Sequence, residues 1–140
     1  MTYRFATQDD IPVLAEMNER LIRDENHRDR LTIASLQSRM TKWLAAGSRA
    51  VLFEEDGQAI GYALFNTTQE HVYLKHFFVE AKHRRQGTGR TAMQWLMTNA
   101  WGGESRIRLD VLSENERGIA FWKSLGFESY CTTMERELVN

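Results

Sequence analysis

The segment Arg84-Arg85-Gln86-Gly87-Thr88-Gly89-Arg90 stands where the chain changes its period. Before it, His71 to Val79 reads as a strand. After it, Thr91 to Ala100 places Ala92, Met93, Leu96, Met97 and Ala100 on one helical stripe. A strand that enters a helix through two glycines one residue apart needs a turn with positive φ and little side-chain bulk. The helix then aims its first N–H groups and the positive end of its dipole at whatever lies in the turn, which suits a phosphorylated ligand. The segment has no Gly-Lys-Ser/Thr ending and no third glycine, so it is neither of the common nucleotide-binding loops.

The flanking periodicities supply the rest of the architecture. Tyr3 to Ala6 reads as a short strand, and Asp9 as an N-cap with Pro12 in the first turn. Ile11, Leu14, Met17, Leu21 and Ile22 then recur at helical spacing, and the polar run Arg23 to Arg30 reads as a loop. A second helix, Thr32 to Ala46, stacks Leu36, Met40, Trp43 and Leu44 and stops at Gly47. Asp56-Gly57 between the apolar runs from Ala50 and Ala59 is a hairpin signal. Ile107 to Val111 alternates as a strand, Asn115 opens a helix that ends at Gly126, and Phe127 onward reads as a last strand pair holding Cys131 as a half-buried thiol. The order β-α-α-β-β-β-α-β-α-β-β predicts one α/β domain over residues 1–140, a mixed sheet of about six to seven strands with about four helices on both faces.

Composition narrows the function classes. Lys and Arg number 18 against 19 Asp and Glu, so no global charge favours nucleic acid or an anionic membrane. Positive charge is local, at Lys82, Arg84, Arg85 and Arg90; such runs are more often solvated than functional, but this one coincides with the glycines. A single cysteine excludes an intrachain disulfide and a multi-cysteine metal site. No apolar run has membrane length and the N-terminus has no signal-peptide pattern, so a cytoplasmic protein is the default expectation.

Three segments together resemble the GNAT family of N-acetyltransferases: Tyr73-Leu74-Lys75-His76-Phe77-Phe78-Val79, the loop Arg84 to Gly89, and Leu109-Asp110-Val111 through Asn115 to Phe121-Trp122-Lys123-Ser124-Leu125-Gly126-Phe127. The resemblance covers nearly the whole chain. It implies that acetyl-CoA is the cosubstrate, with no metal. Backbone groups of the stretch Phe77, Phe78 and Val79 would pair with the pantetheine arm as an added strand does. Arg84, Arg85, Gln86, Gly87, Thr88, Gly89 and Arg90 would hold the pyrophosphate, mainly through backbone N–H groups, with charge-assisted contacts from Arg85 and Arg90. Asn115 would lie near the sulfur end of pantetheine, or cap its helix, or both. Phe121 and Trp122 would wall the thiol exit, with core packing as the competing role of Phe121.

The resemblance implies direct attack of a small-molecule or peptide amine on the thioester, with a backbone N–H near the end of the central strand stabilising the oxyanion. A GNAT-fold sensor or interaction module that binds acyl-CoA without turnover is the alternative. Two departures bear on this choice. Many relatives carry Phe-Tyr where this chain has Phe121-Trp122, and an indole N–H cannot protonate a departing thiolate near neutral pH. The central strand looks like the Tyr-Leu-Glu-Asp-Phe-Phe-Val strand of diamine N-acetyltransferases, but with Lys75 and His76 in place of the acids. His76 is the better candidate base, since an ordinary pKa of about 6.5 suits a proton acceptor; a structural histidine is the other reading. Alternation puts Lys75 and His76 on opposite faces unless a bulge intervenes. Asp24 and Glu25 are candidate acceptor-binding carboxylates, with plain solvation as their other role. Similar proteins are often homodimers.

Overall fold

A computed structural model describes residues 1–26, 28 and 31–139. Positions 27, 29 and 30, part of the polar loop expected over Arg23 to Arg30, lie outside the described residues. The first compact unit, Met1–Asp110, contains β1 (Thr2–Phe5), α1 (Ile11–Asp24), α2 (Ile33–Ala45), β2 (Arg49–Glu55), β3 (Gln58–Thr67), β4 (Val72–Val79), α3 (Thr88–Trp95) and β5 (Ile107–Arg108). A π-helical turn, Leu96–Ala100, extends α3. The second unit, from Val111 onward, holds α4 (Glu116–Ser124).

The strands form a five-stranded sheet in the order β1-β2-β3-β4-β5, antiparallel except for the parallel β4/β5 pair. The β2–β3 hairpin turns at Asp56 (φ 53°) and Gly57 (φ 77°), the two positive-φ positions that a type I′ turn requires. Alternation divides the sheet residues between two cores. Leu52, Tyr62, Leu64 and Phe78 pack with Leu14, Met17 and Leu21 of α1 and Met40 of α2. On the opposite face, Tyr3 stacks on Trp95 of α3 at 4.6 Å and Phe65 meets Trp101 edge-on at 5.2 Å. The sheet is therefore covered on both sides, as the amphipathic stripes predict.

The expectation of six to seven strands is corrected to five among the described residues. Among the described residues no strand follows Phe127, and Cys131 is exposed rather than half-buried. An alternating sequence can extend, but a strand exists only where a neighbour takes its backbone N–H and C=O groups. The run from Ile107 shortens for the same reason, since its ladder with β4 covers only Val72↔Ile107 and Tyr73↔Arg108.

Candidate active site

The site begins at the fork between β4 and β5. Their pairing stops at Tyr73, whose hydroxyl donates to Asp110 at 2.8 Å; burial first, and then this bond, push the phenol up to about 12. Beyond the fork, Glu80 N–H donates to Ile60 C=O on β3 at 2.8 Å. Alternation along β4 therefore turns the backbone groups of Phe77 and Val79 away from β3, toward the side that β5 has left, and those of Phe78 toward β3. Val79 C=O is taken by Arg84, whose Nε donates to it at 2.7 Å.

Lys75 is the extra residue of a β-bulge. Leu64 pairs with His76 and Phe65 with Leu74, so two residues of β4 advance against one of β3. The bulge brings Lys75 and His76 to the same face. Both meet Trp43 of α2, His76 edge-on at 5.2 Å and the Lys75 ammonium over the ring at 4.4 Å. Arg39, one helical turn before Trp43, lies over that ring at 4.7 Å. Arg39, Trp43 and Tyr62 were not predicted as site residues. The i, i+4 spacing of Arg39 and Trp43 was legible, but nothing in the sequence tied that pair to the bulge.

His76 Nδ1 lies 3.0 Å from the Tyr62 hydroxyl, which also bonds Asn18, the one buried polar side chain among the described residues. Burial, followed by the charges of Arg39 and Lys75, pushes His76 down to about 3. The imidazole is neutral at physiological pH. Burial, and after it Arg39, also lower Lys75.

After β4 the chain makes a short turn, Ala81–His83, and then adopts positive φ at Arg85 (62°) and at Gly87 (80°), the residue that caps α3. The N–H groups of Thr88, Gly89 and Arg90 precede the first intrahelical bond, Thr91 N–H to Gly87 C=O at 2.9 Å, and point out of the helix end. Gln86 braces the turn by donating to Lys82 C=O at 3.2 Å. Arg85 and Arg90 are exposed. A Cβ built on Gly87 would meet nothing within 4 Å, so there is open space over the backbone at the start of α3. A cluster of N–H groups at a helix start suits a phosphate.

Two ion pairs fasten α1 to this region. Arg20 grips Glu80 with two bonds, at 2.8 and 2.9 Å, and Asp24 pairs with Arg84. Asp24 thus lies against the root of the loop. Glu25 acts electrostatically on Tyr62, with Arg39 acting in the opposite sense.

Asn115 caps α4, its Oδ1 accepting from Gly118 N–H at 3.0 Å. Within this second unit Phe121 and Trp122 meet edge-on at 4.9 Å, and Trp122 meets Phe127 at 5.3 Å.

The fold is shared with several solved structures, some of them described as possible or predicted acetyltransferases. A mutant of the BH1408 protein from Bacillus halodurans has a TM-score of 0.83 at 23% identity, covering 99% of this chain and 100% of that one. A possible acetyltransferase from Clostridium difficile gives 0.81 at 17% identity, covering 99% and 98%. A predicted acetyltransferase from Clostridium acetobutylicum, solved with acetyl-CoA, gives 0.76 at 19% identity, covering 97% and 95%. No curated protein sequence matches the chain. The sequence model of the Acetyltransferase (GNAT) family matches residues 14–127, and the chain belongs to that family.

Proposed function

We propose that this protein transfers the acetyl group of acetyl-CoA directly to a primary amine, most simply that of a small molecule. The observation that carries this reading is that the end of β4, with the backbone groups of Phe77 and Val79 turned away from β3, is followed after one short turn by the N–H groups that start α3 at Thr88, Gly89 and Arg90. A pantetheine arm can pair along Phe77 and Val79 while the diphosphate lies on the N–H groups that start α3. Arg85 and Arg90 supply charge at its rim. Arg84 acts differently: its bonds to Val79 and Asp24 set the path of the chain into the loop. Support for acetyl-CoA comes from the family and from a neighbour of the same fold solved with that molecule.

The amine nitrogen attacks the thioester carbonyl, forming the C–N bond; the C–S bond then breaks and the thiolate departs. Glu80 N–H is committed to β3, so the oxyanion donor falls to Phe77 or Val79, a contact commonly worth about 2.7–4 kcal/mol. A thiol pKa of about 8.5 lets the leaving group depart without a tyrosine acid. His76 orients the nucleophile more readily than it deprotonates it. A group with a pKa of about 3 takes a proton from an ammonium of about 10.4 at a cost of about 10 kcal/mol. The amine therefore sheds its proton to bulk solvent before attack, an equilibrium that at pH 7 costs about 4.6 kcal/mol, and the neutral His76 positions the nitrogen. Asn115, Phe121 and Trp122 are assigned to the sulfur end of the ligand by family resemblance.

The test is release of free CoA thiol from acetyl-CoA with a panel of primary amines, beside calorimetric titration with CoA. Binding with amine-dependent thiol release sustains the reading. Binding without release for any amine makes the protein an acyl-CoA sensor, and no binding removes both.

A further inference from the structure

We propose that the acceptor amine carries a carboxylate, held by Arg39 and Lys75 beside the indole of Trp43. This rests on the amine-acetylation reading above and adds a substrate class to it. The two cationic heads lie 4.7 and 4.4 Å from the centroid of one ring, on the face that the β4 bulge shares with His76. Among the described residues neither is in an ion pair. The contrast is with Arg4, Arg20 and Arg84, each of which has a carboxylate partner. Arg39 is exposed and Lys75 half-buried, so an entering ligand can reach both.

Two like charges on one indole repel: burial first, and then the proximity of Arg39, lower the Lys75 ammonium. A carboxylate bound at these cations offsets that repulsion and accepts charge-assisted hydrogen bonds. His76, Arg39 and Lys75 all lie within 5.2 Å of the same centroid. A ligand holding its carboxylate at the cations can thus bring an amine nitrogen of the same molecule toward His76, on which both cations act electrostatically. A polyamine, by contrast, brings cations to cations. Of the two residues that stand where the diamine enzymes carry acids, Lys75 thereby helps select the opposite ligand charge, while His76 is neutral.

The test uses matched pairs: lysine and cadaverine, ornithine and putrescine, phenylalanine and phenethylamine, alanine and ethylamine. Each is titrated calorimetrically into the CoA-saturated protein and assayed for thiol release from acetyl-CoA. The expected result is that at least one amino acid binds about tenfold or more tightly than its decarboxylated partner. Arg39→Gln or Lys75→Met should abolish that preference while leaving acetyl-CoA affinity unchanged. Equal binding within every pair, preference for the bare amine, or no binding by any member overturns the proposal. Equal losses for both members of a pair in the variants also overturn it. Selective amino-acid binding without thiol release would sustain the carboxylate subsite while removing the transferase reading, so the two failures are distinguishable.

Discussion

Gly87 offers the sharpest test of the loop because the structure separates the reasons for its being glycine. Its φ of +80° disfavours L side chains, yet a Cβ there meets nothing within 4 Å. Alanine should therefore cost only the strain of the left-handed conformation, about 1–2 kcal/mol, whereas asparagine tolerates that region and should cost less. Glutamate adds a charge. At about 5 Å from one diphosphate charge, a carboxylate is repelled by about 1 kcal/mol in fully water-like surroundings and by about 3 kcal/mol at an effective dielectric of 20. Gly87 is exposed, so the true value falls between these limits. The Kd for CoA should rise about 5- to 150-fold in Gly87→Glu relative to Gly87→Asn, and the gap should narrow with added salt. Calorimetric titration of the variants, with melting curves to correct for stability, measures this. Equal affinities for Gly87→Asn and Gly87→Glu would refute the placement of the diphosphate, whatever the melting temperatures do.

Asp24→Asn separates two roles: if Asp24 braces Arg84, the KM for acetyl-CoA rises, and if it holds the acceptor, the KM for the amine rises instead; steady-state kinetics should show the first, with a stability loss below about 1 kcal/mol for so exposed a pair. His76 has a folded pKa of about 3, below its unfolded value of about 6.5, so the unfolded chain takes the proton first as pH falls. The stability from the neutral imidazole is complete above about pH 6.5 and is lost as pH falls toward 3, by about 2 kcal/mol between pH 6.5 and 5; urea titrations should show this loss in the wild type and much less of it in His76→Gln. If the amine proton leaves to water, kcat/KM should climb with pH toward the amine pKa, and an inflection near pH 6.5 that disappears in His76→Gln would instead make His76 the base. Gly61→Ala should cost about 1–3 kcal/mol or more in chemical denaturation, because its Cβ would lie 2.3 Å from Phe78 C=O and 2.8 Å from Phe53.

The order of elements through β4 and α3, the Asp56-Gly57 hairpin and the strand-to-helix passage at Gly87 were legible in the amino-acid order alone. Each depends on local periodicity or on a residue's own φ preference, and these act over a few positions. Whether Lys75 and His76 share a face was not legible, because a bulge is a mismatch between two strands and Lys75 acquires it only from the register of Leu64 and Phe65. The depressed pKa of His76 was hidden for the same reason: its burial and its cationic neighbours come from α2 and the bulge together. Asp24 and Arg84, 60 positions apart, met only once α1 lay beside the end of β4. The run after Phe127 alternates like a strand and is not one, since extension needs a partner that no local pattern supplies. Local chemistry set what each segment can be, and only the long-range pairing of backbone and charge decided which segments became strands and which side chains face one another.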